Sequence, residues 1–145
     1  WDAATGAERA TLTGHTGYVM ACAISPDGSF IVSASWDRTL KIWDAATGAE
    51  RATLPLAGDL APLALHPFRP FAVCGDRSGG FYMMDLLGFV YGPIIVTAAD
   101  KGQDLTVRCP ACQKEHYIQE DQLGSEITCP TPGCGLKLKI NPFTI

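Results

Sequence analysis

One stretch of twelve residues occurs twice in this chain, and the spacing of the two copies limits the folds that the chain can adopt. The sequence WDAATGAERATL runs from Trp1 to Leu12 and again, without a change, from Trp43 to Leu54. A fixed period of about 20 to 50 residues is typical of repeat architectures, and the spacing of the two copies lies within that range. Because the chain begins inside a repeat, we expect it to be a piece of a longer protein.

The unit between the two copies predicts four short antiparallel strands. Residues 18–25, 30–35 and 39–43 are rich in apolar and β-branched side chains, and a more polar strand is predicted at 49–54. Pro26 and Gly28 favour a tight turn between the first two strands. Four such strands within one period form a blade of a β-propeller, so the predicted fold class is all-β.

Four short motifs make this unit similar to a WD-repeat blade. They are Gly14-His15, Ser25-Pro26-Asp27-Gly28, Ser33-Ala34-Ser35-Trp36-Asp37 and Trp43-Asp44. The resemblance implies a buried, hydrogen-bonded tetrad formed by His15, Ser33, Asp37 and Trp43. In such a tetrad each buried polar group finds a partner, so we interpret these four residues as structural and not as a hydrolase triad.

The following residues keep the spacing of this blade but lose its polar side chains. Pro67 and Phe71 repeat the spacing of Pro26 and Phe30, whereas Ser33, Asp37 and Trp43 are replaced by Cys74, Ser78 and Met84. We therefore expect WD-repeat blades over residues 1–97: the end of one blade at 1–13, an intact blade at 14–54 and a degenerate blade at 55–97. Phe89–Thr97 is the predicted outer strand of the degenerate blade. A ring of roughly four to eight blades would need further units upstream.

The six cysteines fall into two groups. Cys22 and Cys74 lie in predicted strands and are expected to be small buried residues. The other four form two close pairs, Cys109 with Cys112 and Cys129 with Cys134. Two thiol pairs at this spacing are typical of a closed, tetrahedral zinc site.

We therefore predict one structural Zn²⁺ per chain, bound by these four cysteines. Residues 105–145 as a whole resemble a small zinc ribbon. A linker is predicted at 98–104. His116 is expected to be a surface residue and not a ligand, since the cysteines already suffice. Two disulfides or a dithiol redox site remain alternatives, although a cytoplasmic chain, which we expect here, would keep its thiols reduced.

Composition and charge exclude several classes of function. The chain is 47% hydrophobic with a net charge of −4, which is unlike a basic nucleic-acid-coating protein or a polybasic membrane-surface protein. Residues 101–145 carry five basic and five acidic side chains, so nucleic-acid binding by the zinc ribbon is not favoured. The apolar stretch 86–99 is shorter than the roughly 20 residues of a membrane span.

The predicted function is interaction and not catalysis. The sequence contains no recognisable phosphate-binding glycine loop or activated nucleophile. Resemblance to bacterial WD-repeat proteins implies a scaffold that recognises other proteins, often fused to an upstream signalling NTPase or kinase. Two alternatives remain open: a nucleic-acid-binding zinc module, and a fragment that self-associates to complete a propeller.

Overall fold

The computed structural model describes residues 2–102 and 104–145 and divides the chain into two compact units, Trp1–Tyr91 and Gly92–Ile145. Within the described residues, twelve β-strands are accompanied by a single 3₁₀ turn at Glu120–Gln122. The predicted all-β class is therefore confirmed. No helix among these residues is long and apolar enough to cross a membrane.

The first unit contains a four-stranded antiparallel sheet and then a three-stranded one. The strands of the first sheet are β1 (Val19–Ile24), β2 (Phe30–Ser35), β3 (Thr39–Asp44) and β4 (Glu50–Pro55), and those of the second are β5 (Leu60–Leu65), β6 (Phe71–Asp76) and β7 (Phe81–Asp85). Neighbouring strands follow each other in sequence order in both sheets. Because β5 and β6 begin at the positions equivalent to the starts of β1 and β2, the sequence period sets the positions of the strands.

The duplicated segment forms the same turn twice but only one strand. In the first copy Asp2 accepts hydrogen bonds from the backbone and hydroxyl of Thr5, and in the second Asp44 accepts the same two bonds from Thr47. After the turn, the second copy pairs with β3 as β4, whereas residues 7–13 have no strand assignment. Identical residues therefore differ in structure, because an isolated stretch has no neighbouring strand to satisfy its backbone groups.

The two sheets of the first unit pack through faces that occupy non-equivalent positions of the repeat. Strand register defines an apolar face of the first sheet, made of Phe30, Val32, Ala34, Leu40 and Ile42, and an opposite polar face that includes Cys22, Ile24, Ser33, Lys41 and Trp43. In the second sheet, the inner face consists of Leu63, Leu65, Ala72, Cys74, Tyr82 and Met84, and the outer face of Ala64, Val73, Phe81 and Met83. The apolar face of the first sheet packs on the inner face of the second, and together they form the core of this unit.

The second unit is one five-stranded sheet. Its strands are β8 (Ile94–Asp100), β9 (Leu105–Arg108), β10 (Glu115–Ile118), β11 (Glu126–Thr128) and β12 (Lys137–Thr144), in the spatial order β10-β9-β8-β12-β11. The pair β8–β12 is parallel and the other pairs are antiparallel. Ala98, Val107, Ile118 and Ile140 form a small buried core.

The structure differs from the sequence prediction at the end of the degenerate blade. The predicted outer strand, Phe89–Thr97, does not pair with the second sheet: β8 starts at Ile94 and pairs with β12 and β9 of the second unit. Phe89 and Tyr91 instead place their rings 5.2 and 5.8 Å from that of Phe30. The predicted linker at 98–104 is also wrong in part, because residues 98–100 belong to β8 and the division of the chain lies at Tyr91.

Candidate functional site

Four polar side chains form a continuous network on the polar face of the first sheet. Trp43 Nε1 donates to Ser33 Oγ at 2.8 Å, and His15 Nε2 lies 2.7 Å from the same oxygen. His15 Nδ1 lies 2.8 Å from Asp37 Oδ2. Strands β2 and β3 supply Ser33 and Trp43, the β2–β3 turn supplies Asp37, and the segment before β1 supplies His15. The structure thus brings together all four residues singled out from the sequence.

Hydrogen-bond chemistry fixes the direction of this chain of contacts. A carboxylate only accepts, so the proton of a neutral imidazole lies on Nδ1, facing Asp37. The other nitrogen then accepts the Ser33 hydroxyl, and the Ser33 oxygen accepts the indole N–H of Trp43. Every donor in this chain of contacts therefore meets an acceptor, which is what buried polar groups require.

Asp37 anchors the network to the backbone of two loops. Its Oδ1 accepts the hydroxyl of Thr39 at 2.6 Å and the Thr39 N–H at 3.0 Å, and its Oδ2 accepts the N–H of Thr16 at 2.9 Å. Burial disfavours the charged carboxylate, yet the hydrogen bonds from Thr39, Thr16 and His15 outweigh burial and hold the pKa of Asp37 well below its usual range. A carboxylate held in this way keeps the segment before β1 fixed to the β2–β3 turn.

Ser33, His15 and Asp37 have the connectivity of a hydrolytic triad, but their surroundings suit a structural link better. Ser33 is buried, and its oxygen already accepts the indole N–H of Trp43. A nucleophilic serine needs a free approach for a substrate carbonyl. The network therefore connects the segment before β1 with strands β2 and β3.

The second sheet contains a different network, centred on the Asp76 carboxylate, which comparison of the tetrad positions between the two repeat units did not predict. Asp76 Oδ1 accepts the backbone and hydroxyl donors of Ser78 and the N–H of Gly80, and the Tyr82 hydroxyl donates to Oδ2 at 2.7 Å. These bonds, the Tyr82 hydroxyl foremost, lower the pKa of Asp76 to about 2. A Cβ atom at Gly80 or Gly58 would lie 2.3 Å from the Asp76 carboxylate, so a side chain at either position would displace this carboxylate from its hydrogen bonds.

Asp76 is the repeat equivalent of Ser35, which lies outside the tetrad. The four tetrad positions alone therefore do not predict the Asp76 network. The signal present in the sequence was the turn Asp76-Arg77-Ser78-Gly79-Gly80, in which an aspartate caps a glycine-containing turn.

The four cysteines of the second unit converge on one point. Their sulfur atoms all lie within 4.8 Å of one another, and Cys109–Cys134 and Cys112–Cys129 are each separated by 3.7 Å. Four sulfurs placed tetrahedrally about 2.3 Å from one ion lie about 3.8 Å apart, whereas a disulfide needs about 2.05 Å. The described geometry can therefore hold a metal ion, and all four cysteines are free thiols.

Two turns of matching conformation present these thiols. Gln113 and Gly135, which follow the second cysteine of each pair, adopt φ angles of 61° and 62°. Glycine reaches this region without strain, as expected for Gly135. Gln113 takes the same conformation, and its side chain donates to the Pro110 carbonyl at 2.7 Å.

The surroundings of the four thiols differ and shift the pKa values of two of them in opposite directions. Burial raises the pKa of Cys109 to about 12, whereas the Thr131 hydroxyl and the Lys114 N–H lower the pKa of Cys112 to about 5. His116 was expected at the surface, but it is half-buried, and its Nε2 lies 3.3 Å from both Cys129 Sγ and Thr131 Oγ1. His116 therefore lies beside the cysteine cluster.

The remaining two cysteines have different environments. Cys74 is buried on the inner face of the second sheet, as predicted. The prediction for Cys22 is wrong, because this residue is exposed. It lies on the polar face of β1, and hydrophobic strand composition alone does not tell which face of a strand is covered.

An aromatic and cationic cluster lies where β1 begins and where β2 and β6 end. Tyr18, which is 74% exposed, packs edge-on against Trp36 with 5.5 Å between ring centroids. The guanidinium of Arg77 lies 4.8 Å from the Trp36 ring. Trp36 Nε1 is buried and has no hydrogen-bond partner in the described structure.

A cleft of about 560 Å³ in the second unit has an acidic lining. Its charged lining residues are Asp100, Asp104, Glu120 and Asp121, beside the exposed ring of Tyr117. Carboxylates repel nucleic-acid phosphates, so this part of the unit does not favour nucleic-acid binding.

Replacement of Ser33 by alanine tests the tetrad. Ser33→Ala leaves the buried donor of Trp43 and the acceptor of His15 without partners, which costs about 1–3 kcal/mol of unfolding free energy. Urea unfolding followed by tryptophan fluorescence measures this, because Trp36 and Trp43 lie in the first unit and residues 92–145 contain no tryptophan. Ser29→Ala, at an exposed position, is the matched control and should change stability little. Equal effects of both substitutions would contradict the role of the tetrad.

Acid sensitivity tests the state of Asp37. Because its pKa in the folded chain lies below the usual value of 3.8, its stabilising contribution is complete above that value and is lost as the pH falls further. Between about pH 5 and about pH 2 the parent chain should therefore lose more unfolding free energy than Asp37→Asn does. Parallel losses in both proteins, measured by urea unfolding at each pH, would show that Asp37 is not held as an ion.

Comparison with known proteins supports the repeat fold. A family model described as "WD domain, G-beta repeat" matches residues 6–44. The chain is similar to the Periodic tryptophan protein 2 homolog of Schizosaccharomyces pombe (strain 972 / ATCC 24843), with 38% identity over 68 residues, which is 46% of this chain and 8% of that protein. That relative is eukaryotic, and the bacterial source inferred from the sequence stays a prediction.

A solved structure resembles the fold. The crystal structure of the β-propeller domain of Cps50 (Swd1) from Myceliophteria thermophila superposes with a TM-score of 0.57 at 14% sequence identity, over 82% of this chain and 48% of that one. The chain thus spans less than half of the structure and a small fraction of the curated relative that it matches. These matches and the strand order show that the chain carries a WD40 repeat and has a β-propeller type of fold.

Proposed function

We propose that this chain is a non-enzymatic module for protein–protein interaction, in which WD-repeat sheets present a binding surface and the cysteine cluster holds a structural zinc ion. The observation that carries the proposal is the cluster in which the exposed Tyr18 and Arg77 pack against the half-buried Trp36. The polar side chains that could suggest catalysis are instead bonded to one another in the tetrad. We further propose that the module has a signalling or regulatory role in a bacterial cytoplasm.

The chemistry of the aromatic cluster fits a protein partner. Tryptophan, tyrosine and arginine are the residue types most enriched where binding energy concentrates in interfaces. Here Tyr18 and Arg77 both contact the ring of Trp36, and the guanidinium of the exposed Arg77 can donate to an acceptor. A partner segment that offers carbonyl or carboxylate oxygens would pair with this guanidinium.

The proposed zinc site rests on the donor set and its spacing. Four thiolates with separations that match a tetrahedral ion leave no open position for a substrate, which is typical of a structural site. The core of the second unit is small, so metal binding would supply much of its folding free energy. When bound, zinc would join the turn after β9 to the turn before β12.

Alanine substitutions on the aromatic cluster test the proposed interaction. Tyr18→Ala and Arg77→Ala remove exposed side chains and should preserve folding while weakening partner binding by at least about tenfold. Proteins captured from an extract of the source organism by the parent chain and by each variant are compared by quantitative mass spectrometry. Phe143→Ala, at an exposed aromatic position of the second unit, is the control. Identical captured proteins for the parent chain and all variants would contradict the proposal.

Native mass spectrometry under reducing conditions tests the proposed zinc site. The parent chain should carry one zinc ion, and Cys129→Ser should lose it together with the dispersed NMR signals of the second unit, because three thiolates do not complete a closed site. Cys22→Ser is the matched control, since this thiol lies in the first unit and should leave zinc binding unchanged. A metal-free parent chain with a folded second unit would contradict the structural role of zinc.

A further inference from the structure

Two polar side chains other than the cysteines contact the cysteine cluster. His116 Nε2 lies 3.3 Å from Cys129 Sγ, and Thr131 Oγ1 lies 3.4 Å from Cys112 Sγ. The two side chains also contact each other, with 3.3 Å between His116 Nε2 and Thr131 Oγ1. Both residues are half-buried, so water competes only in part for their polar atoms. The polar cluster is therefore larger than the four thiols that the sequence predicts as ligands.

Each of these two side chains reaches across to the cysteine pair of the other turn. His116 belongs to β10, which follows the first cysteine pair, yet it contacts Cys129 of the second pair. Thr131 lies within the turn of the second pair, yet it contacts Cys112 of the first pair. The two contacts therefore connect the two halves of the cluster, in addition to any metal ion that the four sulfurs hold.

The charge of the sulfur atoms fixes the direction of these hydrogen bonds. A metal-bound cysteine is a thiolate, and a thiolate only accepts hydrogen bonds. With zinc bound, the contact with Cys129 therefore requires a proton on His116 Nε2, and the contact with Cys112 requires the Thr131 hydroxyl as donor. Four thiolates around one divalent cation leave an excess of negative charge, and hydrogen bonds to ionised acceptors are stronger than those between neutral groups.

We propose that His116 and Thr131 are positioning residues of the zinc site, which donate hydrogen bonds to the sulfurs of Cys129 and Cys112 and thereby tighten zinc binding. The inference rests on the structural zinc site proposed above and extends it to two residues that are not ligands. The four sulfurs already form a closed set, so His116 acts through the Cys129 sulfur and not on the metal. Partners that orient metal ligands in this way typically contribute about 10- to 100-fold to metal affinity.

Two substitutions remove the donors without removing a ligand. His116→Phe keeps an aromatic ring and Thr131→Val keeps a branched side chain, so the second unit should still fold in excess zinc. Competition with a chromophoric chelator under reducing conditions measures the zinc affinity of the whole chain. Each variant should bind zinc at least about tenfold more weakly than the parent chain.

Two further variants serve as matched controls for these substitutions. Thr131→Ser keeps the hydroxyl and should bind zinc nearly as tightly as the parent chain. Tyr117→Phe alters the aromatic residue next to His116, and because the Tyr117 side chain is 76% exposed, zinc affinity should stay unchanged.

Metal substitution distinguishes a positioning role of His116 from a role as ligand. The cobalt-loaded parent chain and His116→Phe should share the absorption spectrum of a tetrathiolate site, because the substitution removes no ligand. In the cadmium-loaded parent chain, the proton on His116 Nε2 should show scalar coupling to the cadmium nucleus through the Cys129 sulfur. A side chain that only fills space beside the sulfur would not give this coupling.

The results separate failure of the metal site from failure of the positioning role. A parent chain that binds no zinc would overturn the proposed zinc site and this inference with it. Zinc binding by the parent chain with equal affinity in His116→Phe and Thr131→Val would overturn this inference alone. A cobalt spectrum showing that His116→Phe loses a nitrogen ligand would also overturn the positioning role, while the metal site itself would remain.

Discussion

The packing of two unlike sheet faces determines the structure of the first unit. Leu40 and Ile42 are almost completely buried in the core that the first sheet shares with the second, to which Leu63, Leu65 and Met84 contribute. A single blade leaves such residues in water, and the gain from their burial comes only when a second blade arrives in the correct register. The regular period of the sequence matters for this reason, since it returns each strand, and each face, to an equivalent position.

The polar side chains show a second constraint, which is that buried donors and acceptors need partners. The two sheets satisfy it differently. The first uses the tetrad that ends at Asp37, and the second uses Asp76 with Tyr82, two residues that align with Ser35 and Lys41. Although the second sheet lacks the tetrad, its Asp76 carboxylate anchors the β6–β7 turn, as Asp37 anchors the β2–β3 turn.

The structural features that the sequence predicts correctly are those set by one repeat period or by one short motif. The strand positions follow from the repeat, and the convergence of the four thiols follows from the spacing within each pair. Sequence prediction failed where the outcome depends on a distant partner. Residues 94–97 are all β-branched, which favours a strand, and pairing of β8 with β12 and β9 places them in the second unit. The exposure of Cys22 and the position of His116 beside Cys129 depend equally on what lies across from them.

We propose that the two units have different sources of stability: packed repeat faces in the first unit and, when zinc is bound, the four thiolates in the second. Hydrogen–deuterium exchange of the whole chain, with and without a zinc chelator, tests this assignment most directly. We predict that chelation removes protection from β9 through β12 while β2, β3 and β6 exchange as slowly as before. Unchanged protection of β9 through β12, or loss of protection in β2 and β3 on chelation, would contradict it.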